Sequence, residues 1–231
     1  MLEFKDLTVS LGGIRILRDV CLRVETSESV ALIGANGAGK TTTLRAIMGL
    51  LPSEGDILFD GKILSGVPPA KRPKLGIGYA AEDRRLFSAF NVEENILMPG
   101  EVAGFSSEQL SRSLERVYHI LPELKEMAKR PAGAVSGGQG KMVALGRALM
   151  IGSKLIMLDE PFQGLAPALA HRYSEALRRL RDEDAKLTLI ITESNPKLLR
   201  KFADRVLVID RGEIAEGELG VANSDNALAS A

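Results

Sequence analysis

Apolar positions follow two distinct patterns along this chain. Leu2, Phe4, Leu7 and Val9 are apolar among charged neighbours, which predicts an exposed strand over Leu2 to Val9. Val20 to Val24 reads as its partner, across a loop holding Gly12 and Gly13. Val30 to Ile33 is instead an unbroken apolar run ending at Gly34, the mark of a strand buried on both faces of a parallel sheet. Leu155 to Leu158 repeats that pattern, and Leu187 to Ile191 and Val206 to Ile209 read as further strands. Asp56 to Phe59, closed by Asp60-Gly61, reads as an edge strand, and Leu75 to Ala80 as another strand.

Helical periodicity fills the intervals. Thr41 to Leu50 is helical and stopped by Pro52. Ser107 to Leu121 carries Leu110, Leu114, Val117 and Leu121 on one stripe. Ser136 is placed to cap a helix running to Met150, and Leu169 to Arg181 is helical with a charged face. Buried strands alternating with helices imply an α/β fold with a mainly parallel sheet. The mostly helical stretch from about Arg84 to Pro131 reads as an insertion, and the Ala/Ser/Asn-rich tail from Val221 is expected to fray.

Composition narrows the function classes. The 231 residues hold 30 Lys+Arg against 30 Asp+Glu, which argues against a polybasic nucleic-acid binder. One cysteine, Cys21, excludes an internal disulfide framework and a Cys-cluster metal site, and points to a reducing compartment. Cys21 is expected to be a small buried apolar residue. No apolar run reaches the about 20 residues that a membrane helix needs, and no signal-peptide pattern opens the chain. Any membrane span must come from another chain. His119 and His171 are expected to be packed or partly exposed rather than catalytic. Lys71-Arg72 and Arg178-Arg179-Arg181 read as solvated faces, and Met142, Met150 and Met157 as core.

The candidate chemistry begins at Gly34-Ala35-Asn36-Gly37-Ala38-Gly39-Lys40-Thr41, which fits the phosphate-loop pattern G-x-x-x-x-G-K-[ST] between a buried strand and a helix. Such a loop turns backbone N–H groups onto a phosphate, and the helix N-terminus adds a positive dipole end. Lys40 would reach the β- and γ-phosphates, the Thr41 hydroxyl would bind Mg²⁺, and Thr42 would add a phosphate contact. Asp159 and Glu160 end the second buried strand, at the sheet edge where ligands of such folds sit. Asp159 would hold Mg²⁺, and Glu160 would orient or deprotonate an attacking water. Gly76-Ile77-Gly78-Tyr79-Ala80-Ala81 fits a looser dinucleotide pattern but precedes Glu82-Asp83-Arg84-Arg85 rather than a helix start, so it is set aside.

Val135-Ser136-Gly137-Gly138-Gln139, just before a helix, resembles the signature motif of ABC-type ATPases. The resemblance covers roughly residues 2 to 218. It is strongest to the ATP-binding subunits of branched-chain amino acid importers, through Tyr79 to Phe87 (YAAEDRRLF), Asn91 to Asn95 (NVEEN), Gly164 to Pro167 (GLAP) and the Glu193/Asn195 pair. It implies a P-loop NTPase core of RecA type, an N-terminal antiparallel β subdomain and a helical signature subdomain. The whole chain is then one ABC ATPase domain: 1–83 and 152–220 as core with β subdomain, about 84–151 as helical subdomain, 221–231 as tail. It also implies ATP and Mg²⁺, with Glu82 at the Q-loop position as a further Mg²⁺ and catalytic residue. Ser194 takes the switch position, and Leu11 the place of the aromatic residue that stacks on adenine.

The implied partners are membrane permease subunits and a second ATPase subunit, identical or different, packed head to tail. Ser136, Gly137, Gly138 and Gln139 would then close on the ATP held by the partner. A substrate-binding protein is implied indirectly, nucleic acid is not, and the place is cytoplasmic, on the inner face of the cell membrane. Residues from about Arg84 to Pro99 are expected to contact the permease. Ser194, Ala166 at the D-loop aspartate position, Leu11 and Gly140 depart from the family pattern, which suggests slow hydrolysis at this subunit's own site. A non-transport ABC ATPase is the alternative. A P-loop kinase or GTPase would leave the signature unexplained.

Overall fold

A computed structural model describes residues 2–217 apart from 196, 198, 200 and 201. The expected tail from Val221 lies outside the described residues. Ten strands form two sheets among them.

The first sheet is antiparallel. It runs β2 (Ile14–Val24), β1 (Leu2–Leu11), β4 (Glu54–Phe59), β5 (Lys62–Ile63). β1 is therefore not an exposed strand, because it pairs on both sides. Leu2, Phe4, Leu7 and Val9 are buried on its inner face. Their spacing slips by one between Phe4 and Leu7, and the pairing register shifts at that point, with Asp6 at φ 50°. A β-bulge absorbs the extra residue and returns both halves of the strand to one face. Gly55 of β4 lies against this bulge; a Cβ there would stand 2.3 Å from the Asp6 carbonyl. β2 starts earlier than expected, at Ile14, because Gly12 and Gly13 (φ 55° and 81°) make a two-residue turn. Leu11 then pairs directly with Ile14.

The second sheet runs β10 (Glu213–Gly217), β9 (Arg205–Asp210), β3 (Ser29–Ile33), β8 (Thr188–Glu193), β7 (Leu155–Asp159), β6 (Ile77–Ala80). All neighbours are parallel except β10 on β9. β3, β7 and β8 are buried along their whole length, as continuous apolar runs require. β6 starts at Ile77, because Pro73–Leu75 forms a 3-10 turn ending at Gly76. Gly78 serves packing rather than phosphate, since a Cβ there would lie 2.2 Å from the Ala148 carbonyl.

The phosphate loop leads into α1 (Lys40–Ile47). This helix stops before the expected Leu50, with Gly49 at φ 69°. It ends because Gly49, in a left-handed conformation, donates to the Ala46 carbonyl while the Leu50 N–H donates to that of Arg45; Arg72 beside it is buried rather than solvated. Its guanidinium donates to the Ala46 and Ile47 carbonyls at the end of α1, and to those of Leu64 and Val67. It thus caps the negative end of the helix dipole. Cys21 is exposed rather than buried, with Sγ 3.2 Å from Asp6 Oδ1. His119 and His171 face Glu183 and Glu175 at the surface.

Four further helices follow: α2 (Val92–Ala103), α3 (Ser107–Ile120), α4 (Pro122–Glu126) and α5 (Gly137–Ile151). α2, α3 and α5 each start with a capping box, Asn91/Glu94, Ser106/Gln109 and Ser136/Gln139. In each, the first side chain and the third helical residue satisfy one another's backbone N–H. α5 packs on α2 and α3 as well as on β6 and β7, so it joins the helical region to the parallel sheet. α6 (Pro167–Glu183) packs on α3 and α5.

Candidate active site

The carboxyl ends of β3, β7 and β8 converge on one cleft of about 480 Å³. Asn36, Gly37, Gly39, Lys40, Thr41, Thr42, Glu82, Glu160 and Gln163 line it, with Ile16 from β2. The loop can turn this tightly because Gly37 and Gly39 have φ 82° and 119°, open to glycine alone without strain. Gly34 passes so close to β9 that a Cβ would stand 2.4 Å from the Ile209 carbonyl. The Ala38 N–H donates to Ala35 O and closes the turn.

Lys40 folds back over the loop. Its Nζ donates to Gly34 O (2.7 Å), Ala35 O (3.1 Å) and Ser194 Oγ (3.0 Å), and pairs with Glu160 Oε1 at 2.9 Å. Both side chains of this ion pair are buried, so each depends on the other for compensation. Ser194 Oγ also lies 2.7 Å from Asn36 Oδ1 and 2.8 Å from Glu160 Oε1. A hydroxyl has one proton, so Ser194 donates to one of these at a time.

Asp159 is held behind Lys40. Its Oδ1 accepts from Thr41 Oγ1 (3.0 Å) and Thr192 Oγ1 (2.9 Å), and its Oδ2 from the Tyr79 hydroxyl (3.1 Å). Burial and the Asp159 charge raise the Tyr79 pKa, so the phenol keeps its proton and remains a donor.

Glu160 has φ 45°, a left-handed conformation that a non-glycine residue adopts only where its surroundings impose it. Its N–H donates to Thr192 Oγ1 (3.1 Å) and Thr192 O (3.2 Å). Its carbonyl accepts from Lys141 Nζ of α5. Two residues on, the Phe162 N–H donates to Glu193 Oε1 at 2.8 Å. Burial pushes the Glu193 carboxyl up to about 7, and burial lowers Lys141.

The signature residues lie apart from this cleft wall. Ser136 Oγ accepts from the Gln139 N–H, and Gln139 Oε1 from the Ser136 N–H. Arg84 lies alongside, its Nη1 donating to Gly137 O at 2.6 Å. Gly140 makes room for it, since a Cβ there would be 3.3 Å from Arg84 Cδ. Leu11 ends β1 at the hairpin and is 39% exposed; Ile16, not Leu11, stands on the cleft wall. Sequence reasoning did not single out Tyr79 as a support of Asp159, nor Thr192 or Lys141 at all, and it read Arg72 as solvated rather than as a helix cap. Their contacts cross 80, 33, 19 and 26 positions of chain, and no local pattern marks them.

Comparison with known proteins agrees with this arrangement. Residues 17–163 match the ABC transporter family. The chain is 38% identical to the high-affinity branched-chain amino acid transport ATP-binding protein BraG of Pseudomonas aeruginosa, over 96% of this chain and 94% of that one. It is 32% identical to the probable branched-chain amino acid transport ATP-binding protein LivF of Archaeoglobus fulgidus, over 93% and 90%. In three dimensions it is similar to the ADP conformation of an ATP-binding cassette of an ABC transporter, with TM-score 0.79 and 28% identity, over 94% and 91%. A phosphate loop facing two strand-end carboxylates, a capped signature helix and these relatives lead to one conclusion: the chain belongs to the ABC transporter family, as an ATP-binding subunit.

Proposed function

We propose that this subunit binds and hydrolyses ATP to energise an importer of branched-chain or related amino acids. The observation that carries the reading is the near full-length similarity to BraG and LivF, joined to a cleft in which Lys40, Asp159 and Glu160 meet. Backbone N–H groups of 34–39 and the start of α1 take the β- and γ-phosphates. Lys40 exchanges its contact with Glu160 for the γ-phosphate. Glu160, freed of Lys40, accepts a proton from the attacking water or orients it. The Thr41 hydroxyl and the Asp159 carboxylate fit Mg²⁺: both are hard oxygen donors, and they lie 3.0 Å apart, about the spacing of neighbouring ligands around an octahedral ion at 2.0–2.1 Å. Glu82 on the cleft wall is a further oxygen donor to that ion. The ion supplies charge neutralisation at the phosphates.

The chain is one ATPase domain with the helical region 84–151 as a subdomain. It works as a head-to-tail dimer with a second ATPase subunit, identical or different. Each α5 N-terminus, at Ser136 to Gln139, then closes on the other copy's nucleotide. Among the described residues no helix is long and apolar enough to cross a membrane. In this reading permease subunits provide the span, this subunit sits on its cytoplasmic side, and a substrate-binding protein delivers the solute. A cleft of about 500 Å³ lined by Met48, Leu50, Tyr79, Arg84, Pro99 and Arg147 is where the permease docks. Its rim exposes Leu50 and Phe87, and Arg147 lies over the Phe87 ring.

A second reading concerns rate. Ser194 is bonded to Glu160, Lys40 and Asn36, and a serine at the switch position reaches a γ-phosphate only through a bridging water, so we read this site as turning over slowly beside a more typical companion. The test is uptake of labelled leucine by vesicles reconstituted with the permease and both ATPase subunits and supplied with the substrate-binding protein. ATP-dependent uptake abolished by Lys40→Ala supports the importer reading, and assembly without any amino-acid uptake refutes it. Charge reversal at Arg84 and Arg85 that leaves assembly and transport intact would remove the docking assignment.

A further inference from the structure

We infer that Lys141 and Glu193 are positioning residues that hold the turn from Glu160 to Phe162, Lys141 at the Glu160 carbonyl and Glu193 at the Phe162 N–H, and tie the signature helix to this subunit's own catalytic carboxylate. The inference rests on the reading of Glu160 as the hydrolytic residue.

The turn from Glu160 to Phe162 leaves the sheet with Glu160 in a left-handed conformation. Such a conformation costs about 1–3 kcal/mol and survives only when its neighbours over-determine it. Three residues on two elements do so here. Thr192 of β8 takes the Glu160 N–H through both its hydroxyl and its carbonyl. Lys141, on α5 and five residues past Ser136, donates to the Glu160 carbonyl. Glu193 at the end of β8 accepts from the Phe162 N–H. Glu193 is 2% exposed, and its carboxylate accepts from a backbone amide of this turn. Lys141 is half-buried and the charges nearest it are Glu193, Glu82, Arg84 and Glu160.

The consequence is mechanical. A shift of the α5 N-terminus carries Lys141 with it and pulls on the carbonyl that sets the direction of the Glu160 side chain. Ser194, one residue beyond Glu193, is bonded to the Glu160 carboxylate itself. The switch segment and the signature helix therefore meet at the turn from Glu160 to Phe162.

The experiment compares four variants of the full-length chain: Lys141→Met, Lys141→Arg, Glu193→Ala and Glu193→Gln. Gln keeps an acceptor for the Phe162 N–H and Arg keeps a donor for the Glu160 carbonyl. Two readouts are taken, steady-state ATP hydrolysis and hydrogen exchange of the 160–166 segment. Lys141→Met and Glu193→Ala are expected to lower kcat about tenfold to a hundredfold, the cost of a misplaced catalytic group, with KM for ATP little changed. Both should speed exchange in the segment, while Lys141→Arg and Glu193→Gln restore most of each. Unchanged kcat and unchanged exchange in Lys141→Met and Glu193→Ala would overturn the inference, and so would a rise in KM that matches any fall in kcat. Should the parent chain hydrolyse no ATP even with its companion ATPase subunit present, the functional reading falls and the exchange data decide the clamp by themselves.

Discussion

The cleft around Lys40 and the N-terminus of α5 are both anion sites built from glycines and a helix start, yet they are organised in opposite ways. In the cleft, charged side chains are buried and already matched: Lys40 with Glu160, and Asp159 with three hydroxyls. At α5 the side chains satisfy the helix itself, Ser136 and Gln139 bonding one another's backbone at an exposed surface. The first N–H groups of a helix have no partner within it, so Gly137 and Gly138 keep donors for a ligand. The cleft must therefore break an internal ion pair to accept phosphate, whereas the signature end only has to be approached. That difference suits a machine in which the nucleotide is loaded on one subunit and then covered by the other.

The comparison breaks first at Glu160. Replacement by Gln removes the anion opposite Lys40 and the proton acceptor together. ATP turnover should fall about 10²–10⁴-fold, while ATP is still bound, as measured by steady-state hydrolysis and equilibrium binding. Next comes the far end of α1. Arg72→Ala strips a buried cation from four carbonyls and should cost about 3 kcal/mol or more in urea unfolding. The cleft side also carries a charge cost that the N-terminus of α5 lacks. Glu193, with its carboxyl raised to about 7 from 4.5, keeps its proton longer when folded than when unfolded. Stability should therefore fall as pH rises from about 4.5 to about 7, and the loss is complete above that. Glu193→Gln should flatten this slope and be more stable than the parent at pH 8, by at most on the order of 3 kcal/mol, with no gain below pH 4. Thermal melts across pH check it. The smallest effect belongs to the signature end: Ser136→Ala should lose only the cap, about 1 kcal/mol, because no buried charge depends on it.

Much of this was legible in the chain itself. The phosphate loop, the acidic end of β7 and the capping signature of α5 are contiguous, and their spacing carries their physics. The bulge in β1 was latent in the slip between Phe4 and Leu7, but reading the strand as exposed missed that β4 would return to cover its other edge. Arg72 looked like part of a solvated basic pair because nothing local reveals that α1 ends above it. Cys21 looked like core for the same reason in reverse: strand alternation alone does not say which face meets a second layer.

The sequence by itself determined the buried parallel strands, the phosphate loop and the identity of the charged groups, because continuous apolar runs and glycine spacing act over a few residues. Only the tertiary structure decided that Tyr79 and Thr192 hold Asp159, that Lys141 and Glu193 close on the turn at Glu160, and that Ile16 rather than Leu11 faces the cleft. Those contacts join strands and helices whose order in space follows from sheet pairing and helix packing, and the energy that selects them is shared across the whole core.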